Sequence, residues 1–347
     1  MKVRVRDIAK RAGVSPATVS NALNGRSGVS SENARQIIQI AEEMGYAVSK
    51  SVLSQEKPFI RLIILKKHGL VLMDTQFFME LIEAIESQCQ AEGLELLITR
   101  LHLSQDKDVE ERIHSLCAEK CAGILLLSTE IDEKDLQLFD GCRSPLVALD
   151  NLFRHEDVHS VVMNNYDAGY RATNALYAMG HRRIGHITSN VNFNNMRYRR
   201  KGYQAAMTEN GLPVDEECIW RVTPTMDGAY QDMRELLRQG RKLPTAFFAG
   251  NDIIAVGCMR ALSEQGISIP DEMSIIGMDD TTICQVCTPP LTTIRVFRNE
   301  MGVVAVKMLL GLVPHLEHGK LKTEIGVQLI ERSSVASPKN GNSVTDQ

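Results

Sequence analysis

The chain has 347 residues, 44% of them apolar, 24% charged and 5% aromatic, so it can build a sizeable core and more than one domain. This composition excludes wholesale disorder and low-complexity repeats. The longest apolar runs, FIRLIIL and AGILLLS, fall far short of the roughly 18–20 residues that span a bilayer.

The formal net charge of −4 conceals a division. Residues 1–30 hold six bases (Lys2, Arg4, Arg6, Lys10, Arg11, Arg26) against one acid, Asp7, so a basic head precedes an acidic body. A polyanion is the natural partner of such a head. The N-terminus, MKVRVRDIAKRAG, is charged where a signal peptide is apolar, so a soluble, cytoplasmic protein with no membrane partner is expected.

The head reads as three short helices. Ile8, Ala9 and Ala12 share one face of a first helix, with Asp7 in its first turn. Gly13 permits a tight turn, Val14 plugs it, and Ser15 and Pro16 supply the cap and first residue of a second helix. Thr18, Val19, Ala22 and Leu23 continue that helix until Asn24 and Gly25 stop it. A helix–turn–helix results, and its second helix is slim enough to enter a DNA major groove. Ser30 or Ser31 caps a third helix with an Ala34, Ile37, Ile38, Ala41 stripe, ending near Gly45.

From Phe59 onward, apolar runs alternate with helical patterns such as Phe77–Ala91 and Asp252–Gln265. The predicted strands are 61–65, 95–99, 123–128 and 146–150, then 161–164, 183–189, 245–250 and 274–279. Continuous apolar strands separated by helices imply buried parallel sheets, hence an α/β body. No G-x-G-x-x-G, P-loop, G-x-S-x-G or H-E-x-x-H occurs, so no cofactor, metal or catalytic group is expected. Eight scattered cysteines, with one isolated C-x-x-C at Cys284 and Cys287, read as reduced, small apolar residues.

VRDIAKRAGVSPATVSNALNG, followed by VSSENARQIIQIAEEMGY, resembles the DNA-binding head of the LacI/GalR family of bacterial transcriptional regulators. The segments at 164–188, 199–212, 244–280 and 289–294 are similar to the same family's body and to periplasmic sugar-binding proteins. The resemblance implies an all-α helix–turn–helix head (1–46) and a hinge (47–58). It further implies a periplasmic-binding-protein-like body (59–333) of two Rossmann-like parallel-sheet subdomains. The expected halves are 59–160 with 291–322, and 161–290 with 323–333, followed by a disordered tail at 334–347.

Carried over by position, the resemblance places Pro16, Ala17 and Asn21 at base edges and Ser15, Thr18 and Ser20 at phosphates. Arg4, Arg6 and Arg26 become backbone contacts. Asn21 carries the forked amide suited to adenine, where many members carry arginine. Members usually follow the tyrosine with Pro-Asn and a leucine that wedges into the minor groove. Here Tyr46 is followed by AVSKSVLSQEKP, Gln55 holds the leucine position, and Leu53, beside Val52, is the available wedge. A wedge-bearing hinge and a flexible tether are both open readings of this segment.

In the body, the resemblance assigns effector contacts to Phe77, Asp150, Arg197, Arg199, Asn251 and Asp279, near strand C-termini where open parallel sheets bind ligands. Asp252 and Asp280 read as helix N-caps and His181 as structural. The family's frequent aromatic ring falls near Thr223 and Pro224, and the arginine of purine-responsive relatives falls at Phe193. A carbohydrate effector is therefore expected over a purine. The implied protein is a homodimeric repressor on a pseudo-palindromic operator of double-stranded DNA. Its rivals are a stand-alone sugar-binding protein, which lacks a reason for the basic head, and an enzyme, which lacks a catalytic set.

Overall fold

A computed structural model describes residues 3–23, 29–44, 46, 57–72, 75–311 and 319–339. Asn24, Gly25, Arg26, Gly45, Val52, Leu53 and Gln55 lie outside the described residues, as does the segment 47–56 that carries the hinge. The chain divides into two compact units, residues 1–58 and 59–347.

In the first unit, α1 (Val5–Ala12) ends on Gly13, whose φ of +68° reverses the chain at little steric cost. The Val14 N–H returns to the Ala9 carbonyl, and α2 (Pro16–Leu23) starts from Ser15. The Ser15 hydroxyl accepts the Thr18 N–H at 3.0 Å, an N-cap that satisfies one open donor of the helix. Ser30 supplies the equivalent oxygen to Asn33 before α3 (Ser31–Glu43). Ile8, Ala9, Val19, Ala22, Leu23, Ile37 and Ala41 close the small core between the three helices.

The second unit begins with β1 (Phe59–Lys66), α4 (Gln76–Ala91), β2 (Glu95–His102), α5 (Val109–Ala118), β3 (Gly123–Leu127), β4 (Leu146–Leu149) and β5 (His159–Met163). It continues with α6 (Asn165–Ala178), β6 (Ile184–Ser189), α7 (Asn194–Glu209), β7 (Ile219–Val222), α8 (Met226–Arg238), β8 (Ala246–Ala249), α9 (Asp252–Glu264) and β9 (Ser274–Asp279). β10 (Thr292–Val296), α10 (Arg298–Leu309), β11 (Lys322–Ile325) and β12 (Val327–Ile330) complete it. Among the described residues two six-stranded sheets form, in the orders β11-β5-β4-β3-β1-β2 and β12-β10-β9-β8-β6-β7. Every pairing is parallel except β10 with β12. The central strands are buried on both faces, β3 at all of its positions, which explains their uninterrupted aliphatic sequences.

The sheet assignments correct the expected halves. β5 lies in the first sheet between β4 and β11, although its sequence was grouped with the second half. β10 pairs with β9 in the second sheet, and α10 then packs on α4 of the first lobe. Among the described residues, the lobes are therefore 59–163 with 298–311 and 319–325, and 164–296 with 327–339. An apolar run specifies that a strand exists but leaves its neighbour unspecified.

The body also runs past residue 333. Ser334 is buried, its hydroxyl donates to the Ile275 carbonyl at 2.6 Å and accepts the Thr292 N–H at 2.8 Å, and Ala336 pairs with Ser274. His181 bridges Thr245 and the Ala336 carbonyl, a structural role. One further correction concerns sulfur: Cys117 and Cys142 are joined in a disulfide, with Cα atoms 4.4 Å apart. Their separation of 25 residues carries no pairing signal, and α5 and the turn before β4 bring them together. No helix among the described residues is long and apolar enough to cross a membrane.

Candidate functional site

Two surfaces carry the predicted site residues. On α2, Val19, Ala22 and Leu23 turn into the core, so the opposite face is left outward: Pro16 and Ala17 are exposed and Asn21 is partly so. The Ser15 and Thr18 hydroxyls lie 2.8 Å apart at the start of this helix. Arg4 and Arg6 project from the first turn of α1, where the Arg4 N–H donates to the Asp7 carboxylate. Arg11 pairs with Glu43 of α3, so this base ties the head together.

The second surface is a cavity of about 580 Å³ between the strand C-termini of the two sheets. Phe77, Asp150, Arg199, Asn251 and Asp279 all line it. Arg197 does not. It is exposed and donates to Asn194, because two residues along a helix turn a side chain by about 200° away from Arg199.

Arg199 is placed by backbone packing. Gly169 on α6 faces the Arg199 carbonyl and Gly202 on α7 faces the Tyr166 carbonyl; a Cβ at either position would overlap the opposing oxygen. The two helices consequently approach closely enough to bury the Arg199 side chain. Its Nε donates to Asn165 at 2.8 Å and its Nη1 to the Gly250 carbonyl. The protein partner of Nη2 is the Met163 sulfur at 4.0 Å, a weak acceptor. No carboxylate forms a direct ion pair with this guanidinium among the described residues, although Asp279, Asp150 and Asp252 are near enough to stabilise its charge.

Asp150 closes β4 with a φ of +61° and is fully buried. It accepts the Thr129 hydroxyl at 2.6 Å and the Asn195 amide at 3.1 Å. Asn195 in turn accepts from Asn165, so a hydrogen-bonded chain runs Asp150–Asn195–Asn165–Arg199 through the cavity wall. Burial pushes the Asp150 carboxyl up to about 6, against the opposing pull of Thr129 and Arg199.

Asp279 ends β9 with a φ of +119°, followed by Asp280 at +54°. This left-handed pair is held by three arginines. Arg295 and Arg332 bind the Asp280 carboxylate, and Arg298 donates to the carbonyls of both residues. Asp280 is thus ion-paired and caps no helix. Burial raises the Asp279 carboxyl, and the Asp252 carboxylate adds to the shift while Arg199 opposes it. Asn251, rather than Asp252, caps α9 by accepting the Ile254 N–H. Asp252 is buried beneath, accepting from Thr281 and Thr293.

The rest of the lining is largely apolar. Phe77 meets Phe78 edge-on at 5.1 Å, Phe193 forms a third aromatic wall, and Pro224, near the place of the family's frequent ring, lines the cavity with Thr225. Several bonds join the lobes around the cavity. The Gln76 amide oxygen accepts the Thr282 N–H at 2.8 Å, and Asn194 donates to Asn151 at 2.8 Å. Arg298 of the first lobe, fixed by Glu80 of α4 and lying 5.7 Å from the Phe77 ring centroid, crosses to the second through the Asp279 carbonyl. Sequence reasoning missed Thr129, Asn165, Asn195, Thr225 and Asp227. Asn195 alone carried a signal, lying four residues before Arg199 on the same helix face. No three His, Cys, Asp or Glu side chains among the described residues form a metal-binding group.

Comparison with known proteins matches residues 4–49 to the model described as bacterial regulatory proteins, lacI family, and residues 173–335 to a periplasmic binding protein-like domain. The chain is 32% identical over 310 residues to the HTH-type transcriptional repressor PurR of Actinobacillus pleuropneumoniae, covering 88% of this chain and 90% of that one. It is 30% identical over 339 residues to the repressor of the same name from Haemophilus influenzae, covering 96% and 98%. Among solved structures, the lac repressor dimer bound to operator and the anti-inducer ONPF superposes with a TM-score of 0.74 at 23% identity, covering 97% of this chain and all of that one. A LacI family regulator from Enterococcus faecium with bound ribose gives 0.68 at 25% identity, covering 80% of this chain and all of that one. Matched in head and body, and alike to these repressors over nearly its whole length, the chain belongs to the lacI family of bacterial regulatory proteins: it is a DNA-binding transcriptional regulator rather than an enzyme.

Proposed function

We propose that this regulator is a cytoplasmic homodimeric repressor whose affinity for a pseudo-palindromic operator is set by a small carbohydrate in the interlobe cavity. Each head presents Pro16, Ala17 and Asn21 to base edges, with Ser15, Thr18, Ser20 and the arginines, Arg26 included, along the phosphates. Leu53 is the wedge of the paired hinges. Effector binding favours one arrangement of the lobes, and that arrangement changes how the two hinges and heads sit on the duplex. Reciprocity follows: operator DNA changes effector affinity by the same factor.

The observation that supports a polar effector most directly is the Arg199 guanidinium, buried with a thioether as the protein partner of its Nη2. It stands among Asp150, Asp279 and Asn251, all of which line the same cavity. Vicinal hydroxyls supply a stronger acceptor for Arg199 Nη2 than a thioether and hydrogen-bond partners for the Asp150 and Asp279 carboxyl groups, and each unpaired buried group is costly. The cavity volume lies within the usual range for small-molecule sites. The ribose-bound relative carries a ligand of this class, as does the regulator solved as a CelR–cellobiose complex.

A second reading is a planar nucleobase, favoured by the three phenylalanines Phe77, Phe78 and Phe193 in the wall. A thermal-shift screen of the full chain with ribose, cellobiose, adenine, guanine and hypoxanthine tests both, since a ligand of the native state raises stability by mass action. Stabilisation by a sugar with altered operator affinity is expected. Stabilisation by a base alone would replace the carbohydrate, and operator binding indifferent to every stabilising ligand would remove the effector role.

A further inference from the structure

Every backbone N–H from Lys67 to Leu72 is engaged within one small frame. The buried Glu130 carboxylate takes five of them: Lys67, His68 and Gly69 donate to Oε2 at 2.9, 3.0 and 2.8 Å. Val71 and Leu72 donate to Oε1, both at 2.8 Å. The sixth, from Leu70, goes to His68 Nδ1 at 3.2 Å. Gly69 turns this segment with a φ of +71°. The Lys67 ammonium points elsewhere, to Asp132 and Asp135, so backbone dipoles are the main compensation for the buried anion. Burial alone would raise the Glu130 carboxyl; these donors outweigh it and bring the group below its ordinary range.

The place of this frame gives it a consequence. Residues 67–72 leave β1 and lead towards α4; Leu70 and Val71 form part of the cavity wall. Val71 also packs against the core cluster of the second lobe, and it shares the cavity lining with Ile283 of that lobe. Glu130 stands next to Thr129, whose hydroxyl holds Asp150. Two consecutive residues after β3 therefore fix two sides of the same cavity.

We propose that Glu130 is a positioning residue of the effector cavity: through five backbone hydrogen bonds it holds residues 67–72 as a preformed wall and, through Val71, as a tie between the lobes. This rests on the interlobe cavity being the effector site. Glutamine at this position offers a single acceptor oxygen and turns an NH2 group towards N–H donors, so the wall loosens while side-chain volume is kept.

The test is amide hydrogen exchange on the full chain, comparing the parent with Glu130→Gln and with Lys67→Met, which breaks the Asp132 and Asp135 pairs and spares the five bonds. In Glu130→Gln, exchange at residues 67–72 is expected to quicken roughly tenfold or more, with faster exchange also at 281–287 across the cleft. Lys67→Met leaves both segments unchanged. Acceleration confined to 67–72, or the same pattern in Lys67→Met, would overturn the proposal. If Glu130→Gln does not fold, Glu130→Asp, which keeps the charge but shortens its reach, is measured identically. Ribose, cellobiose and adenine are then added as probes. A probe that stabilises the parent should bind about tenfold more weakly to Glu130→Gln, and unaltered binding counts against the proposal. A parent chain blind to all three removes the effector chemistry proposed above and leaves the exchange result to decide the role of Glu130.

Discussion

Asp150→Asn is a direct probe of the cavity electrostatics. In the folded chain the Asp150 carboxyl is raised to about 6, against an ordinary value of 3.8. A raised folded-state value means that the native state holds this proton more tightly than the unfolded chain does. The stability associated with it is therefore full below pH ~4 and is lost as pH rises through about 6. The difference of about two pH units corresponds to roughly 3 kcal/mol withheld above pH 6. Asparagine keeps the shape and an acceptor for the Thr129 hydroxyl but has no charge to bury. Denaturant unfolding of both chains at pH ~3.5 and pH ~8 should give similar stability at the lower pH, below the ordinary carboxylate value. At pH 8 the variant should be ahead by on the order of 1–3 kcal/mol, the lower figure allowing for a weakened bond to Asn195. A pH-independent difference between the two chains would refute the assignment of this buried ionisation to Asp150. A ligand that donates hydroxyls to Asp150 should, by the same logic, bind the parent more tightly as pH rises through about 6.

Other outcomes follow from the same geometry. Asn21→Ala should lower discrimination at one operator base pair by about 1–3 kcal/mol while sparing non-specific binding, read from affinities over a panel of mutated operators; unchanged discrimination would take Asn21 off the reading face. Arg199→Met should abolish ligand-induced stabilisation and the operator response, with ligand-free DNA binding retained; a normal response would show that this guanidinium does not face the effector. Gly169→Ala should destabilise the body by roughly 1–3 kcal/mol, because its methyl displaces the helix that carries Arg199, and calorimetry showing no loss would contradict the close approach.

The head was legible because its signals are local. Gly13, Val14, Ser15 and Pro16 specify a turn and a cap within four residues, and the structure places Ser15 as that cap. Strands were equally visible as aliphatic runs, yet their order was not: Val161 and Val162 read the same whichever sheet they join, and the partner strand β11 lies about 160 residues later. Arg199 and Arg197 differ only by the helix phase that sends one inward and the other out. The Asp150–Asn195 bond spans 45 residues, and the Cys117–Cys142 bridge depends on two chain segments meeting, so neither leaves a periodic mark in the sequence. The capping of α9 by Asn251 instead of Asp252 turned on a single residue of phase, the scale at which helix ends are least defined by sequence.

The order in which the strands close has a bearing on how the protein is made. β11 flanks β5 at one border of the first sheet, β12 flanks β10 at one border of the second, and both are encoded within the span 322–330. Neither lobe finishes its sheet until the codons for residues 322–330 have been read, whereas the three helices at the amino end are encoded by residue 43. A messenger cut short before codon 322 would yield a chain whose three head helices are fully encoded but whose two lobes each lack a border strand, so the cavity between them would be built on two incomplete sheets.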